Sequence, residues 1–423
     1  MSKQFSIVPP TEQAWINKAK ALDRFRWQQL RQRHTWFGAT LRTIRERIFD
    51  SVFGLFAHYK QSPSQATKGC DFLLFQGSAK VILLKRKKDL IALIQKNGHH
   101  LVEVAHETPQ VIIQKKMVTK PPYAVPLRYY GYAAYAEWIT AHYNPSLVIN
   151  DRNGSLVSPF LRLSLNRRSH LLVHLAHAST LEQSRRLDMT DYDYYFLFGQ
   201  SSLDALKART LRFGNTQAVL AGSHMIDQAF DLPPANVTQK TILVLGVGPD
   251  KEKKEDYQRT YALINTWASQ NPEFKVLIKA HPRSRVPFWQ QSALTCKNIE
   301  ILANNCALAE ALSQTSIVIN VMSNAVIEAA LAQRPIIYVN TTAEIDIFDQ
   351  KSYFGEQVNS IESLSMQVEW IQSNYQLSIE NTKKFTEHHL SHSIYGLKNT
   401  YKLIVDLKNM NKITCQCLNS TQH

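Results

Sequence analysis

Short apolar runs recur along the chain, and most are separated by segments whose apolar residues return every three or four positions. Such runs are typical of buried strands, and such segments are typical of amphipathic helices. The alternation predicts parallel sheets, because a parallel connection needs a crossover helix between its two strands. The predicted strands lie at 71–76, 100–105, 146–150, 170–174, 194–199, 218–222, 241–245, 275–280, 298–301, 316–320 and 335–339.

The length of the chain predicts more than one domain, since 423 residues exceed what a single hydrophobic core usually serves. Residues 231–240 contain a Pro-Pro pair and lack periodicity, which indicates a linker. We therefore expect two facing, Rossmann-like α/β domains with doubly wound parallel sheets, at 66–230 and 241–380. A basic helical leader at 1–65 precedes them, and a C-terminal helix with a polar tail occupies 381–423.

The charge is strongly basic, with a formal net charge of +15 and a pI near 9.5. Between Lys18 and Lys60 there are ten Lys or Arg against three Asp or Glu. One apolar face recurs there at helical spacing, which predicts a basic amphipathic helix. Such a helix lies either in the headgroup region of an anionic membrane or on the protein core with its arginines in solvent. The predicted apolar face consists of Leu41, Ile44, Ile48, Val52 and Leu55.

Several classes of protein are disfavoured. No apolar run approaches the roughly 20 residues that a membrane-spanning helix needs, and a signal peptide is not evident. We expect a cytoplasmic protein, peripheral on the inner face of the membrane. The five cysteines lack zinc spacing, so we expect free thiols and no metal site. Asp191-Tyr-Asp193 looks like a metal-binding DxD motif. It precedes a strand, however, and the order of elements along the chain differs from that of the fold in which this motif binds a metal, so we do not expect a metal there. His388, His389 and His392 are expected on a solvated helix.

Candidate site residues follow two predicted strands of the second half. His281-Pro282 ends one of them, and a parallel strand delivers its next residue to the ligand crevice of an α/β sheet. Ser323-Asn324 follows the other and precedes a predicted helix, for which Ser323 is the expected N-cap. A capped helix start offers N–H groups and partial positive charge to an anion. Together these loops predict a phosphate pocket.

The same residues carry a family resemblance. Lys279-Ala-His-Pro282 and the run from Ser323 through Glu328 to Arg334 resemble the C-terminal lobe of GT-B glycosyltransferases of bacterial surface-polymer synthesis. That group includes polysialyltransferases, capsular Kdo transferases and CDP-glycerol glycerophosphotransferases. His174-Leu-Ala-His177 is similar in position to a Trp-His-Gly motif but lacks its Trp and Gly, and Asn324 stands where many relatives have Ser or Thr.

The resemblance implies a GT-B fold and specific roles. His281 would donate to the phosphate of the leaving nucleotide and is a candidate general acid. His177 would be the base that activates the acceptor, with Asp151 and Glu107 as alternatives that also follow strands. The residues that would bind the nucleotide are Gly246, Gly248, His281, Pro282, Arg283, Ser323, Asn324 and Glu328.

These features predict a metal-independent glycosyltransferase with no cofactor besides its nucleotide-sugar co-substrate. The best donor hypothesis is a CMP-activated acidic sugar, such as a nonulosonic acid or Kdo, transferred to a capsular or other surface glycan. Expected partners are an oligosaccharide or glycolipid acceptor, and an anionic inner-membrane surface or other capsule-synthesis proteins. No RNA-binding motif is present, so nucleic acid is not an expected partner. The alternatives are a glycerol- or ribitol-phosphate transferase, a UDP-sugar epimerase and a non-catalytic basic binding protein.

Overall fold

The computed structural model describes residues 7–63, 68–236 and 238–421. Parts of the predicted leader (1–6 and 64–65), of the linker (237) and of the tail (422–423) lie outside these described residues. The chain divides into two compact units. One unit runs to Met225 and resumes at Leu397, and the other is Ile226–Gly396.

The first unit contains eight helices and six strands before the chain leaves it, counted over its described residues. The helices are α1 (Glu12–Arg31), α2 (Trp36–Tyr59), α3 (Ala79–Leu83), α4 (Lys88–Lys96), α5 (Pro109–Gln114), α6 (Leu127–Tyr143), α7 (Ser158–Asn166) and α8 (Gln200–Lys207). The strands are β1 (Cys70–Gln76), β2 (Leu101–Ala105), β3 (Pro145–Asn150), β4 (Leu171–Leu175), β5 (Tyr194–Leu197) and β6 (Thr216–Leu220).

The second unit follows, and the chain then returns to the first. The strands of the second unit are β7 (Thr241–Leu245), β8 (Lys275–Lys279), β9 (Ile299–Ile301), β10 (Ile317–Asn320) and β11 (Ile336–Tyr338). Its helices are α9 (Pro249–Glu252), α10 (Glu255–Gln270), α11 (Pro287–Thr295), α12 (Leu308–Ser313), α13 (Val326–Leu331), α14 (Gln350–Phe354), α15 (Ile361–Ser373) and α16 (Tyr375–His389). The returning elements are α17 (Gly396–Lys408) and β12 (Gln416–Leu418).

The sheet of the first unit has the order β12-β6-β5-β4-β3-β1-β2. All its neighbouring pairs are parallel except β12 on β6, where Gln416 lies opposite Ala218. Both faces are buried, because alternate side chains of each strand enter different cores. Leu73 and Phe75 of β1 pack with α1, α6 and α7, whereas Phe72 and Leu74 pack with α4 and α17.

The sheet of the second unit is parallel throughout, with the order β11-β10-β7-β8-β9. The strand order reverses between β7 and β10, because β8 and β9 lie to one side of β7 and β10 and β11 lie to the other. Open α/β sheets bind ligands outside the carboxyl ends of their strands at such a reversal. The topology therefore marks the ends of β7, β8 and β10 as the place for a site.

The predicted α/β architecture is confirmed, and β7 and α10 have the predicted bounds. The polar tail contains β12, which extends the first sheet in the antiparallel sense. Two expectations were wrong in detail. His389 is buried against Phe385 rather than solvated, with ring centroids 4.2 Å apart.

None of the described helices combines the length and the hydrophobicity that a membrane-spanning segment needs.

The second error is the N-cap of α13, which is Ala325 and not Ser323. Residues 323–327 form a tighter turn first, because Val326 N–H donates to the Ser323 carbonyl (3.3 Å) and Ile327 N–H to the Asn324 carbonyl (3.2 Å). These bonds span three residues rather than four, as at many helix ends. Ser323 therefore belongs to the loop that leads into the helix.

Candidate functional site

The ends of three strands of the second unit lie side by side. Leu245 at the end of β7 is in register with Lys279 of β8 and with Asn320 of β10. The residues that follow therefore emerge at one edge of the sheet. They are the glycine loop 246–248, the His281-Pro282 loop and the loop 321–325.

Gly246 brings the exit of β7 against the backbone of the His281 loop. Its N–H donates to the Lys279 carbonyl at 2.9 Å. A Cβ at this position would lie 3.0 Å from that oxygen and 3.1 Å from the backbone N of His281, which is tighter than ordinary contact. Gly248 is different, since a Cβ there would meet only the Arg283 guanidinium at 4.0 Å. Of these two glycines, only Gly246 stands where a side chain would be crowded.

The ring of His281 is oriented by its own loop. The backbone N–H of Arg283 donates to Nδ1 of His281 at 3.1 Å. Because Nδ1 is the acceptor, the neutral ring carries its proton on Nε2. The Nε2–H group of His281 is therefore the one that can act as a hydrogen-bond donor or general acid at the end of β8.

The loop that holds His281 is braced from beneath. Ser284 donates its hydroxyl to the buried carboxylate of Glu252, and the N–H of Ser284 donates to the His281 carbonyl at 2.8 Å. Val286 then adopts φ +45°, a left-handed conformation that is strained for a β-branched residue. The hydroxyl of Ser284 accepts from the Val286 N–H at 3.1 Å, which helps to hold that strain.

The loop after β10 places Ser323 and Asn324 at the same edge, and both are partly exposed. The Ser323 N–H donates to Oδ1 of Asn320 (3.1 Å), whose buried side chain also donates to Gln350 (2.7 Å). Glu328 lies one turn into α13, and burial raises the pKa of its carboxyl to about 7. Near neutral pH this group can donate as well as accept a hydrogen bond.

A cluster around Glu344 was not predicted from the sequence. Glu344 follows β11 and accepts from Lys251 Nζ (2.5 Å), Lys254 Nζ (3.0 Å) and the Tyr257 hydroxyl (2.7 Å). Against the effect of burial, these donors lower the pKa of Glu344 to about 2. Lys251 lies in α9, directly after the glycine loop, so the cluster brings two ammonium groups near this edge. The run of charges at 250–256 was the available signal.

In the first unit, the predicted candidate Asp151 belongs to a buried ion pair. Lys87 Nζ lies 2.5 Å from Oδ2 of Asp151, and the Gly77 N–H donates to Oδ1 at 2.7 Å. Lys87 also donates to Gln76 at 3.1 Å, and the pair is almost inaccessible to solvent. A proton on Asp151 would leave the buried ammonium without its counter-charge, so this geometry favours a structural role for the carboxylate.

His177 follows β4 and is exposed. The surrounding protein nevertheless lowers the pKa of its ring, because it desolvates the imidazolium, and Lys87 adds to the effect while Asp151 opposes it. The ring is therefore neutral at neutral pH, the form that accepts a proton. Glu107, the other alternative, pairs with Lys115 at 3.2 Å.

Two further histidines of the first unit are fully buried. Neither His174 nor His224 has a hydrogen-bond partner for its ring nitrogens among the described residues. Burial lowers the pKa of His224 to about 3 and that of His174 well below its usual value. The ring of His174 stacks on Tyr192 with centroids 4.3 Å apart. His174 belongs to the His174-Leu-Ala-His177 motif of the sequence analysis, whereas His224 was not among the predicted site residues.

Asp191 and Asp193 hold the first unit together. Asp191 is buried and pairs with Lys18 (2.7 Å) and Arg162 (2.8 Å), and Asp193 pairs with Arg162 at 2.9 Å. Among the described residues, no group of three or more His, Cys, Asp or Glu side chains could hold a metal ion.

No protein-family model matches the chain, and no curated protein matches it. Solved structures are similar. A UDP-N-acetylglucosamine 2-epimerase has a TM-score of 0.50 at 9% identity, over 84% of this chain and 100% of its own. MnaA of S. aureus, solved with UDP, has 0.51 at 10% identity (80% and 97%), and the glycotransferase of kitacinnamycin has 0.50 at 11% (82% and 100%). The likeness shows the fold, which is the GT-B fold.

Proposed function

We propose that this chain is a glycosyltransferase that moves a sugar from a nucleotide donor to a surface glycan. The observation that carries the proposal is the orientation of His281, whose Nδ1 accepts from the Arg283 N–H at the switch-point edge of the second sheet. An Nε2–H at that edge can donate to the phosphate that leaves with negative charge. A fold shared with proteins named for UDP-sugar and glycosyl-transfer chemistry supports the same assignment.

The neighbouring loops supply the rest of the donor site. Ser323 and Asn324 offer hydrogen-bond donors for phosphate oxygens, and Gly246 lets the ligand approach the backbone. Glu328, with its raised pKa, suits a ribose hydroxyl, to which it can donate or from which it can accept. Lys251 and Lys254 add positive charge nearby. Charge on the leaving phosphate is then balanced by these side chains.

The acceptor hydroxyl must lose a proton during transfer. We assign this step to His177, because its ring is neutral at neutral pH and solvent can reach it. Asp151 would be the weaker base, since both of its oxygens are already engaged. For the donor we propose a CMP-activated acidic sugar, which the resemblance of the His-Pro loop to capsule-type transferases favours over a UDP-sugar.

Calorimetric titration of CMP, CDP, UDP and GDP into the protein tests this proposal. Selective CMP binding that weakens by about 1–3 kcal/mol in His281→Ala, the scale of a charge-assisted hydrogen bond, is the expected result. His388→Ala, on α16, is the matched control and should bind like the wild type. Selective binding of UDP would change the proposed donor from a CMP-activated sugar to a UDP-sugar. Conversion of a UDP-sugar without any acceptor would indicate an epimerase. Binding of none of the four nucleotides would refute the transferase.

A further inference from the structure

Helix α2 exposes a row of large apolar side chains and buries the carboxylate of Asp50. Six large apolar residues on one side of it are 50–66% exposed: Phe37, Leu41, Ile44, Ile48, Phe49 and Phe56. We call this set the α2 stripe. Isolated exposed apolar residues are common, but a contiguous set along one helix marks a surface that is covered by a partner.

The opposite face of α2 is fixed to the protein by charge. Asp50 is buried and accepts from Arg26 (2.6 Å), from Arg128 Nε (3.2 Å) and from the Tyr132 hydroxyl (2.8 Å). Rotating the helix to bury the α2 stripe would expose these groups and break all three bonds. The exposure of the stripe is therefore a property of the fold.

Close packing fixes the helix as well. A Cβ at Gly54 would collide with the Leu127 carbonyl at the start of α6. A Cβ at Gly131 of α6 would lie 2.5 Å from the ring of Phe53. The two glycines thus let α2 and α6 approach closely, and α2 has no room to roll.

The charges beside the α2 stripe are positive. Arg42, Arg45 and Arg47 are exposed, and the Arg45 guanidinium lies 5.7 Å from the Phe49 ring centroid. Both carboxylates of α2, Glu46 and Asp50, pair with Arg26. The accessible side of the helix therefore combines apolar side chains with cations, and its own acids are neutralised on the protein side.

We propose that the α2 stripe docks on an anionic lipid bilayer, with α2 parallel to the surface. The apolar side chains would enter the boundary between headgroups and acyl chains, and the three arginines would meet lipid phosphates. A second copy of the chain is a poorer occupant. A two-fold interface would bring the same arginines together, and α2 presents no unpaired carboxylate to balance them. This inference does not depend on the proposed function.

Vesicle flotation with the full-length protein tests the proposal. Wild-type protein should float with vesicles that contain phosphatidylglycerol and much less with pure phosphatidylcholine. Ile48→Asn with Phe49→Asn should abolish flotation. Arg42→Gln, Arg45→Gln and Arg47→Gln together should weaken binding to the anionic vesicles about a hundredfold, because each basic residue near such a surface contributes about fivefold. Thermal unfolding should be unchanged in both variants, since all five side chains are exposed.

The matched control is Leu294→Asn with Ile345→Asn, two exposed apolar residues of the second unit. Its flotation should equal that of the wild type. Three results would overturn the proposal. One is the absence of flotation with anionic vesicles, and another is an equal loss in the control. The third is a dimer in solution that the Ile48→Asn, Phe49→Asn variant converts to a monomer, which would assign the α2 stripe to a second copy.

Discussion

The buried Lys87–Asp151 pair allows a direct test of whether Asp151 serves structure. In Asp151→Asn, the amide oxygen can still accept from the Gly77 N–H, but Lys87 loses its counter-charge at a site almost closed to solvent. Removing one partner of a buried pair costs about 3–5 kcal/mol. A unit of this size loses roughly 2–4 °C of Tm per kcal/mol, so Tm of the first unit should fall by roughly 10 °C.

Scanning calorimetry of four proteins measures the coupling: wild type, Asp151→Asn, Lys87→Met and the double variant. The double variant should recover most of the loss, because no buried charge is then left unpaired. Lys115→Met is the matched control. It breaks the Lys115–Glu107 pair, whose lysine is largely exposed, and should cost under about 1 kcal/mol.

Transferase activity of Asp151→Asn adds a second readout. An unchanged Tm with loss of transferase activity would refute the structural reasoning and return Asp151 to the role of base.

Three further substitutions have defined outcomes. Gly246→Ala should weaken nucleotide binding in calorimetry, because its Cβ would press on the Lys279 carbonyl and the His281 backbone. Gly248→Ala should leave nucleotide binding unchanged, since a Cβ there meets only the Arg283 guanidinium. Equal losses of affinity in the two variants would contradict this difference in packing. The pKa of Glu328 is near 7 in the folded state against 4.5 in the unfolded state, so the wild type loses stability as pH rises between those values. In denaturant titrations, the stability of Glu328→Gln relative to the wild type should therefore be greater at pH 8 than at pH 5, by at most about 3 kcal/mol. A stability difference that does not change with pH would contradict the raised pKa. Gly131→Ala should destabilise the protein by about 1–3 kcal/mol, because the added methyl group would overpack against Phe53. Gly38→Ala on α2 is the control and should be tolerated, since its Cβ would meet only contacts of 3.4 Å and longer. A lower Tm for Gly38→Ala than for Gly131→Ala would contradict the close contact between α2 and α6.

The sequence predicted the elements whose periodicity is strong. Strand 241–245 and helix 255–270 have the predicted bounds, because their hydrophobic patterns are continuous over their whole length. The start of α13 lies later than predicted because residues 323–327 first form a turn with bonds that span three residues, which a propensity argument does not include. The three-residue strand β12 is too short to show a period, and its pairing with β6 is set by tertiary contact.

The site was predictable in its position and less so in its chemistry. Strand ends located His281, Ser323 and Asp151 at sheet edges, because topology alone places them there. The partner of Asp151, Lys87, is 64 residues away in sequence, and no periodicity links them. For α2 the sequence left open whether the apolar face packs on the protein. The structure leaves that face exposed and buries Asp50 instead, a charged residue that an amphipathic pattern would assign to solvent.

The return of the chain to the first unit has a consequence for biosynthesis. Residues 397–418 supply α17, which covers one face of the first sheet, and β12, which covers the edge of β6. The ribosome releases these residues only after the whole of Ile226–Gly396, a continuous unit able to fold as it emerges. The first unit is thus begun first and completed last, and until then its nascent sheet presents an open β6 edge that favours pairing with other chains.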